Sequence, residues 1–309
     1  MWNTKYRSHN NSLMKIVYRS ALSLIFILLV LFSAAQLPDT EIYLATISKT
    51  EKDFTFGPAE NITNRVGYDN QPSFSPDDTK LLFVQVLDSV QSDVVEFTFA
   101  NKSTRQLTNT NESEYSPTYT PDHSKISVVR VDTDTAQRFY LFDPSTSARV
   151  IHIPGTDSIG YFCWLNDSLL AMFLVSEPFS LNVLNLKANT RRFIAHDVGR
   201  CLKLSADKKS LLFVDKSDST NWIISSYNFS NYSIEKVSST IKRNEDFSPL
   251  PDGSLLMGDE GKLYRRDIHS KEGWIMVMDY QNSIGPFYRI TANENGTRIA
   301  FVAYAGIKP

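Results

Sequence analysis

Pro72-Ser73-Phe74-Ser75-Pro76-Asp77-Asp78-Thr79-Lys80-Leu81-Leu82-Phe83-Val84 is a turn flanked by two strand-like segments. Proline at 76 fixes φ, and the carboxylates of Asp77 and Asp78 suit bonds to nearby backbone N–H groups, so residues 75–78 read as a tight turn. The apolar run that follows reads as a buried strand, and the whole stretch as a β-hairpin.

Imperfect copies of this stretch recur along the chain. Aligned on the turn acid they fall at Asp77, Asp122, Asp167, Asp207 and Asp252, with Asn293 taking the place of the acid in a sixth. The spacings are 45, 45, 40, 45 and 41 residues, which is the period of a propeller blade. Each repeat offers four strands. In the first these are residues 72–75, 80–87, 94–99 and 105–108; in the sixth only 287–291 and 298–303 are found. The missing pair lies at the other end of the chain. Residues 41–47 form a strand candidate before any complete repeat, and Asn61-Ile62-Thr63-Asn64 parallels Gln106-Leu107-Thr108-Asn109. Joining the two ends closes a ring of six blades and leaves no open sheet edge between blades. No stretch reads as a long amphipathic helix.

Composition agrees with a large all-β core. The chain has 309 residues, 42% hydrophobic and 12% aromatic, with 34 acids against 32 bases. That balance gives no electrostatic reason to expect nucleic acid. Lys5, Arg7, Lys15 and Arg19 precede an apolar run over 21–32 that ends in Ser33-Ala34-Ala35-Gln36. Basic region, short apolar core and small residues before position 36 predict that 1–35 is a secretory signal, or a signal anchor if uncleaved. The domain over 37–309 is then exported, to the periplasm or the cell surface, with membrane attachment only through that segment. Cys163 and Cys201 form no Cys-x-x-Cys pair; their offset in adjacent repeats favours two buried thiols over a bridge.

Phe74-Ser75-Pro76-Asp77, Leu250-Pro251-Asp252-Gly253 and Arg105-Gln106-Leu107-Thr108 resemble the WD40-like repeats of the TolB-type six-bladed β-propeller, over roughly residues 41–303. The third and sixth copies depart from that motif. The resemblance implies a bacterial cell envelope but no single activity, since such propellers occur in binding proteins and beside peptidase domains. The nearest approach to a serine-nucleophile elbow, Gly155-Thr156-Asp157-Ser158-Ile159-Gly160, has the wrong spacing.

No chemical motif stands out elsewhere. His123, His152, His196 and His269 are dispersed, and no metal-ligand spacing occurs, so no cofactor is expected. Loops that join the second and third strands of a blade emerge on the same face as those linking one blade to the next. Here they carry acid after acid, including Asp69, Glu112, Glu114, Asp132, Asp134, Asp157, Glu245 and Asp246. Aspartate is also a plain turn residue, but loops sharing one sign create a potential that attracts a basic partner. Asp132 and Asp134 are too few oxygens for calcium. Tyr68, Tyr115, Tyr161 and Phe287-Tyr288 stand at the blade entrances and read either as a contact surface or as inter-blade packing. Arg200 is the basic exception, placed to pair with Glu245 or Asp246 or to orient an anionic group.

The expectation is therefore a monomeric, non-catalytic, exported module that presents Tyr68, Asp69, Glu112, Glu114, Tyr115, Arg200, Glu245 and Asp246 to a protein or peptide, with a basic one favoured. The alternative is a channel-mouth enzyme acting on a small lactone or carbohydrate.

Overall fold

The computed structural model describes residues 37–51, 53–86, 91–145 and 151–306. The signal segment expected over 1–35 lies outside them, and no helix among the described residues is long and apolar enough to cross a membrane. The described residues hold strands and turns only, arranged as a six-bladed β-propeller.

Blade 1 runs outward from the channel through Asp69–Phe74, Lys80–Val86, Ser92–Thr98 and Ser103–Gln106, each antiparallel to the last. Blades 2 to 5 repeat this order from inner strands Ser113–Tyr119, Ile159–Trp164, Val198–Leu204 and Phe247–Pro249. Blade 6 is the closure. Its inner strands are Phe287–Ala292 and Arg298–Tyr304; the latter pairs with Thr40–Lys49 over seven positions, from Thr40 opposite Tyr304 to Thr46 opposite Arg298. The outermost layer is split between Phe54–Phe56 and Glu60–Asn61, both paired to Thr40–Lys49. The expected closure by two strands from each end of the chain is thus what the fold shows.

The apolar second strands are explained by where alternate side chains go. Leu81 and Phe83 pack towards blade 6 with Ile42, Ala300 and Val302, whereas Leu82 packs towards blade 2 with Ile126 and Val128. A strand buried on both faces needs apolar residues at successive positions. Further buried clusters fill the other blade interfaces, so the core is a ring of wedges around a central channel.

The hairpins match the motif in chemistry. Ser75 Oγ donates to Asp77 Oδ1 at 2.6 Å and accepts from the Lys80 N–H at 2.9 Å, and Thr120 with Asp122 and Ser205 with Asp207 repeat the contact at 2.6 Å. Two copies differ from the alignment. In blade 3 the turn is one residue shorter, as it is in blade 5, and Asn166, not Asp167, accepts the backbone N–H groups of Ser168 and Leu169. In blade 6 the hairpin closes with the Asn293 N–H donating to the Arg298 carbonyl, the bond Ser75 makes to Lys80 in blade 1. Asn293 therefore occupies the place of Ser75, and alignment on it as the turn acid sets the sixth copy two residues out. Its amide does the capping, accepting from the N–H groups of Thr297 and Arg298 at 2.8 Å.

Candidate functional site

The site is the channel, and the inner strands build it by a shared irregularity. Their pairing to the second strands slips between Asn70 and Ser73, Tyr115 and Thr118, Ile159 and Tyr161, Val198 and Leu202, and Phe287 and Arg289. Such bulges re-aim side chains. Gln71 and Ser116 sit at their bulges with φ of 56° and 53°. The residue four places before each hairpin-closing N–H is, blade by blade, Gln71, Ser116, Tyr161, Cys201, Asp246 and Arg289. All six line one cavity of about 200 Å³, together with Arg200, Lys203 and Thr291 among others.

The ring has a charged half and a neutral half. In blades 1 and 2, Gln71 Oε1 accepts from the Ser116 N–H at 2.6 Å, stitching neighbouring blades together. In blades 4 to 6, Arg200 reaches across the blade boundary to both acids of the next entrance. Its Nη1 binds Glu245 Oε1 at 2.5 Å, its Nη2 binds Asp246, and its backbone N–H donates to Glu245 Oε2. Lys216 binds the same Glu245 at 2.8 Å. Burial works against the charge on Glu245, but Arg200 and Lys216 outweigh it and hold the carboxyl below its ordinary value. This arrangement needs a glycine beside it: a Cβ on Gly199 would stand 2.7 Å from Glu245 Oε2. Arg289 faces Asp246 from the other side, with Nε 3.8 Å from Oδ1, too far for a hydrogen bond. Lys203 Nζ donates to the Thr291 hydroxyl at 3.1 Å.

Tyrosines surround these cations. The Arg289 guanidinium lies 5.6 Å from the centre of the Tyr161 ring, and Tyr68 lies within electrostatic reach of Arg289, Tyr288, Tyr161 and Tyr115. Burial raises the pKa of Tyr68 far above the ordinary phenol value and also raises that of Tyr288, so both hydroxyls remain donors. Asn70 donates to the Tyr288 oxygen at 2.5 Å, and Tyr288 stacks on Tyr304 at 5.0 Å. Tyr161, Tyr288 and Tyr115 are packed against buried clusters between blades, and with Tyr68 they gather at one mouth.

The acids expected to face solvent are placed otherwise. Asp69 is fully buried beneath the entrance of blade 1, held by Arg65 at 3.2 Å and Gln85 at 2.9 Å, and burial pushes its carboxyl up to about 6. Glu114 is also buried; desolvation pushes it up to about 7, opposed by hydroxyl bonds from Thr110 and Thr108 and reinforced by Asp93. Glu112 stands half-exposed 3.9 Å from Arg130. Arg138 gathers Asp132, Asp134 and Asp157 at 2.7 to 2.9 Å, and Lys242 takes Asp259. The face is rich in acid, as the sequence implies, but much of that charge is spent inside the protein. Some partners are local, Arg65 four residues before Asp69 and Arg138 four after Asp134, while others, such as Arg138 with Asp157, come from another loop. Arg200 is placed against Glu245 and Asp246 as expected.

The sequence reading missed Arg289, Lys203 and Gln71. The signal was present in the alignment: each stands a few residues before a hairpin, in the segment that lines a propeller channel, once the sixth copy is set in register.

No candidate metal centre of three or more His, Cys, Asp or Glu side chains occurs among the described residues. His123, His152, His196 and His269 are all exposed and lie off the channel. Cys163 and Cys201 are free thiols whose burial pushes them up to about 12 and about 11, which leaves them protonated and unreactive at neutral pH.

No protein-family model matches the chain, and no curated protein does. Solved structures match in fold. A putative TolB from Agrobacterium tumefaciens superposes with a TM-score of 0.64 at 14% identity, over 87% of this chain and 99% of that one. TolB from Acinetobacter baumannii gives 0.56 at 12% identity over 84% of this chain; the match spans 63% of that longer protein. A gluconolactonase from Xanthomonas campestris gives 0.59 at 9% identity, over 84% and 94%. The chain has the TolB-like six-bladed propeller fold, and proteins of that fold include both TolB and an enzyme.

Proposed function

We propose that this chain is an exported, non-catalytic binding module of the bacterial cell envelope that presents one end of its propeller to a protein or peptide partner. The observation that carries this reading is the convergence of Tyr68, Tyr115, Tyr161 and Tyr288 with Arg200 and Arg289 at one channel mouth. Tyrosine and arginine are the residues that dominate binding hot spots, because they bury large area and still offer donors. In this reading Tyr68, Tyr115 and Arg200 make contact, Glu112 lies at the rim, Glu245 and Asp246 orient Arg200, and Asp69 and Glu114 support the entrance from below. The likeness to TolB supports the envelope assignment at the level of fold.

The competing reading is a small-molecule enzyme, as the gluconolactonase of the same fold is. Acid–base chemistry asks for a group that exchanges a proton near neutral pH within reach of substrate. Of the two acids nearest the cavity, Glu245 has its charge fixed by Arg200 and Lys216, and Asp246 is engaged by Arg200. That favours binding.

The test is capture from envelope extract by the immobilised full chain at low and high salt, read by mass spectrometry. Wild type should retain one dominant protein. Tyr161→Ala should lose it, while Lys208→Ala, in the hairpin at the opposite end, should not. Retention by both variants, or capture of nothing, would overturn the proposal.

A further inference from the structure

The cavity holds more positive charge than its own acids satisfy. Arg200, Lys203 and Arg289 line it, with Asp246 the one acid among its lining residues. Asp246 and its neighbour Glu245 both bind Arg200, and Glu245 also binds Lys216. What remains for Arg289 is the 3.8 Å approach to Asp246 and the neutral phenol of Tyr161, and its Nε has no hydrogen-bond partner. Lys203 forms no ion pair among the described residues and spends its ammonium on a neutral hydroxyl, Thr291. Partly buried cations are costly unless paired, so the two are short of an anion, and they lie in the inner strands of blades 4 and 6 on either side of Asp246 in blade 5.

The shape of the site narrows the anion. A guanidinium fork matches a planar carboxylate with two parallel N–H···O bonds. The cavity, about 200 Å³, suits one side chain or chain end and not a long polymer. Its neutral side offers Gln71 and Ser116, and its mouth is rimmed by tyrosine rings that suit the apolar parts of a peptide.

We infer that the channel takes a carboxylate of the peptide partner, either a chain end or an Asp or Glu side chain, seated on Arg289 and Lys203 with Arg200 beside it. This rests on the binding-module reading and reverses the sign of the preference that the acidic loops suggest: the rim is acid-rich, but the socket is cationic.

The experiment uses the immobilised full chain and three synthetic pools of randomised N-acetylated hexapeptides. One lacks Asp and Glu and ends in an amide, one differs only in a free C-terminal carboxylate, and one is the amide pool with a single Glu. Either carboxylate pool should be retained about tenfold more than the first, as a charge-assisted pair implies. Comparing the two separates chain end from side chain. Arg289→Gln should erase the difference; Lys203→Gln should reduce it and serves as the second variant if Arg289→Gln does not fold, as judged by circular dichroism. Equal retention of all three pools overturns the carboxylate inference and leaves the binding module standing. Retention of none overturns both, and so would retention of a uronate disaccharide in place of every peptide pool.

Discussion

Carboxylates at the two ends of the propeller share residue type and loop setting, yet live in opposite states. At the hairpin end Asp77, Asp122, Asp207 and Asp252 each accept a Ser or Thr hydroxyl at 2.6 Å from two residues away. These bonds hold the carboxyls low, Asp122 at about 2 through Thr120 and Ser124. At the entrance end Asp69 and Glu114 are buried and pushed up, whereas Glu245 is kept charged by a blade-to-blade arginine. The difference lies in who supplies the donor. Hairpin acids carry their donors within the same turn; Glu245 draws two cations from the neighbouring blade, whereas Asp69 has Arg65 and Gln85 and Glu114 has mainly hydroxyls, and where such donors do not suffice the carboxyl tends towards neutral.

The comparison breaks first at Arg200. Removing it leaves Glu245 and Asp246 buried with incomplete pairing, and Arg200→Ala should cost about 3 to 5 kcal/mol in chemical denaturation; a loss below about 1 kcal/mol would show that Lys216 and Arg289 suffice. Glu114 comes next. Its folded value of about 7 exceeds its ordinary 4.5, so the folded state takes up a proton and stability is full at low pH. It falls as pH rises through that window, by about 3 kcal/mol once the group is ionised. Thr108, Thr110, Asp93 and Arg130 face it. Glu114→Gln should therefore match wild type near pH 4 and gain about 3 kcal/mol near pH 8, read from melting curves at both; a constant difference would refute the buried-acid account.

A smaller effect belongs to the hairpin end. Ser75→Ala removes a donor to Asp77 and an acceptor for Lys80, and should cost about 1 kcal/mol in equilibrium unfolding at pH 7. Smallest of all should be Lys102→Ala. Lys102 pairs with Glu60 across the junction of blades 1 and 6, but both side chains are well exposed, at 66% and 58%. The expected change is below about 0.5 kcal/mol. A large loss there would mean that reaching across blades matters in itself, and not the burial that accompanies it at Arg200.

The same contrast explains what could be read from residues alone. The hairpin repeat encodes its own turn and its own strand, so the period, the blade count and the closure were legible. Strand bounds were nearly so, with the second strand expected over 80–87 and found as Lys80–Val86. The inner strands were not fully legible: the first was expected to begin at 72 and begins at Asp69, because the bulge at Gln71 interrupts the alternation that marks a strand. Arg200 with Glu245 and Asp246 could be anticipated because equivalent positions in adjacent blades must face one channel. Asp69 and Glu114 could not be told from solvent-facing acids, since their burial depends on Arg65, Gln85 and Thr110 folding over them.

The closure has a consequence for how the molecule is made. Residues 40–49 can pair early with 54–56 and 60–61, but their pairing with 298–304 waits until nearly the whole chain has been made. Until then five blades can stack, but Ile42, Leu81 and Phe83 lack the Ala300 and Val302 that cover them in the finished ring. The entropy of bringing such distant segments together grows slowly with length, yet folding rates fall steeply as contacts become non-local, so the final seam should set the pace of folding. The return path is hindered for the same reason. Opening the ring at blade 6 means breaking the seven paired positions of that seam, which makes it slow to come apart as well as slow to form.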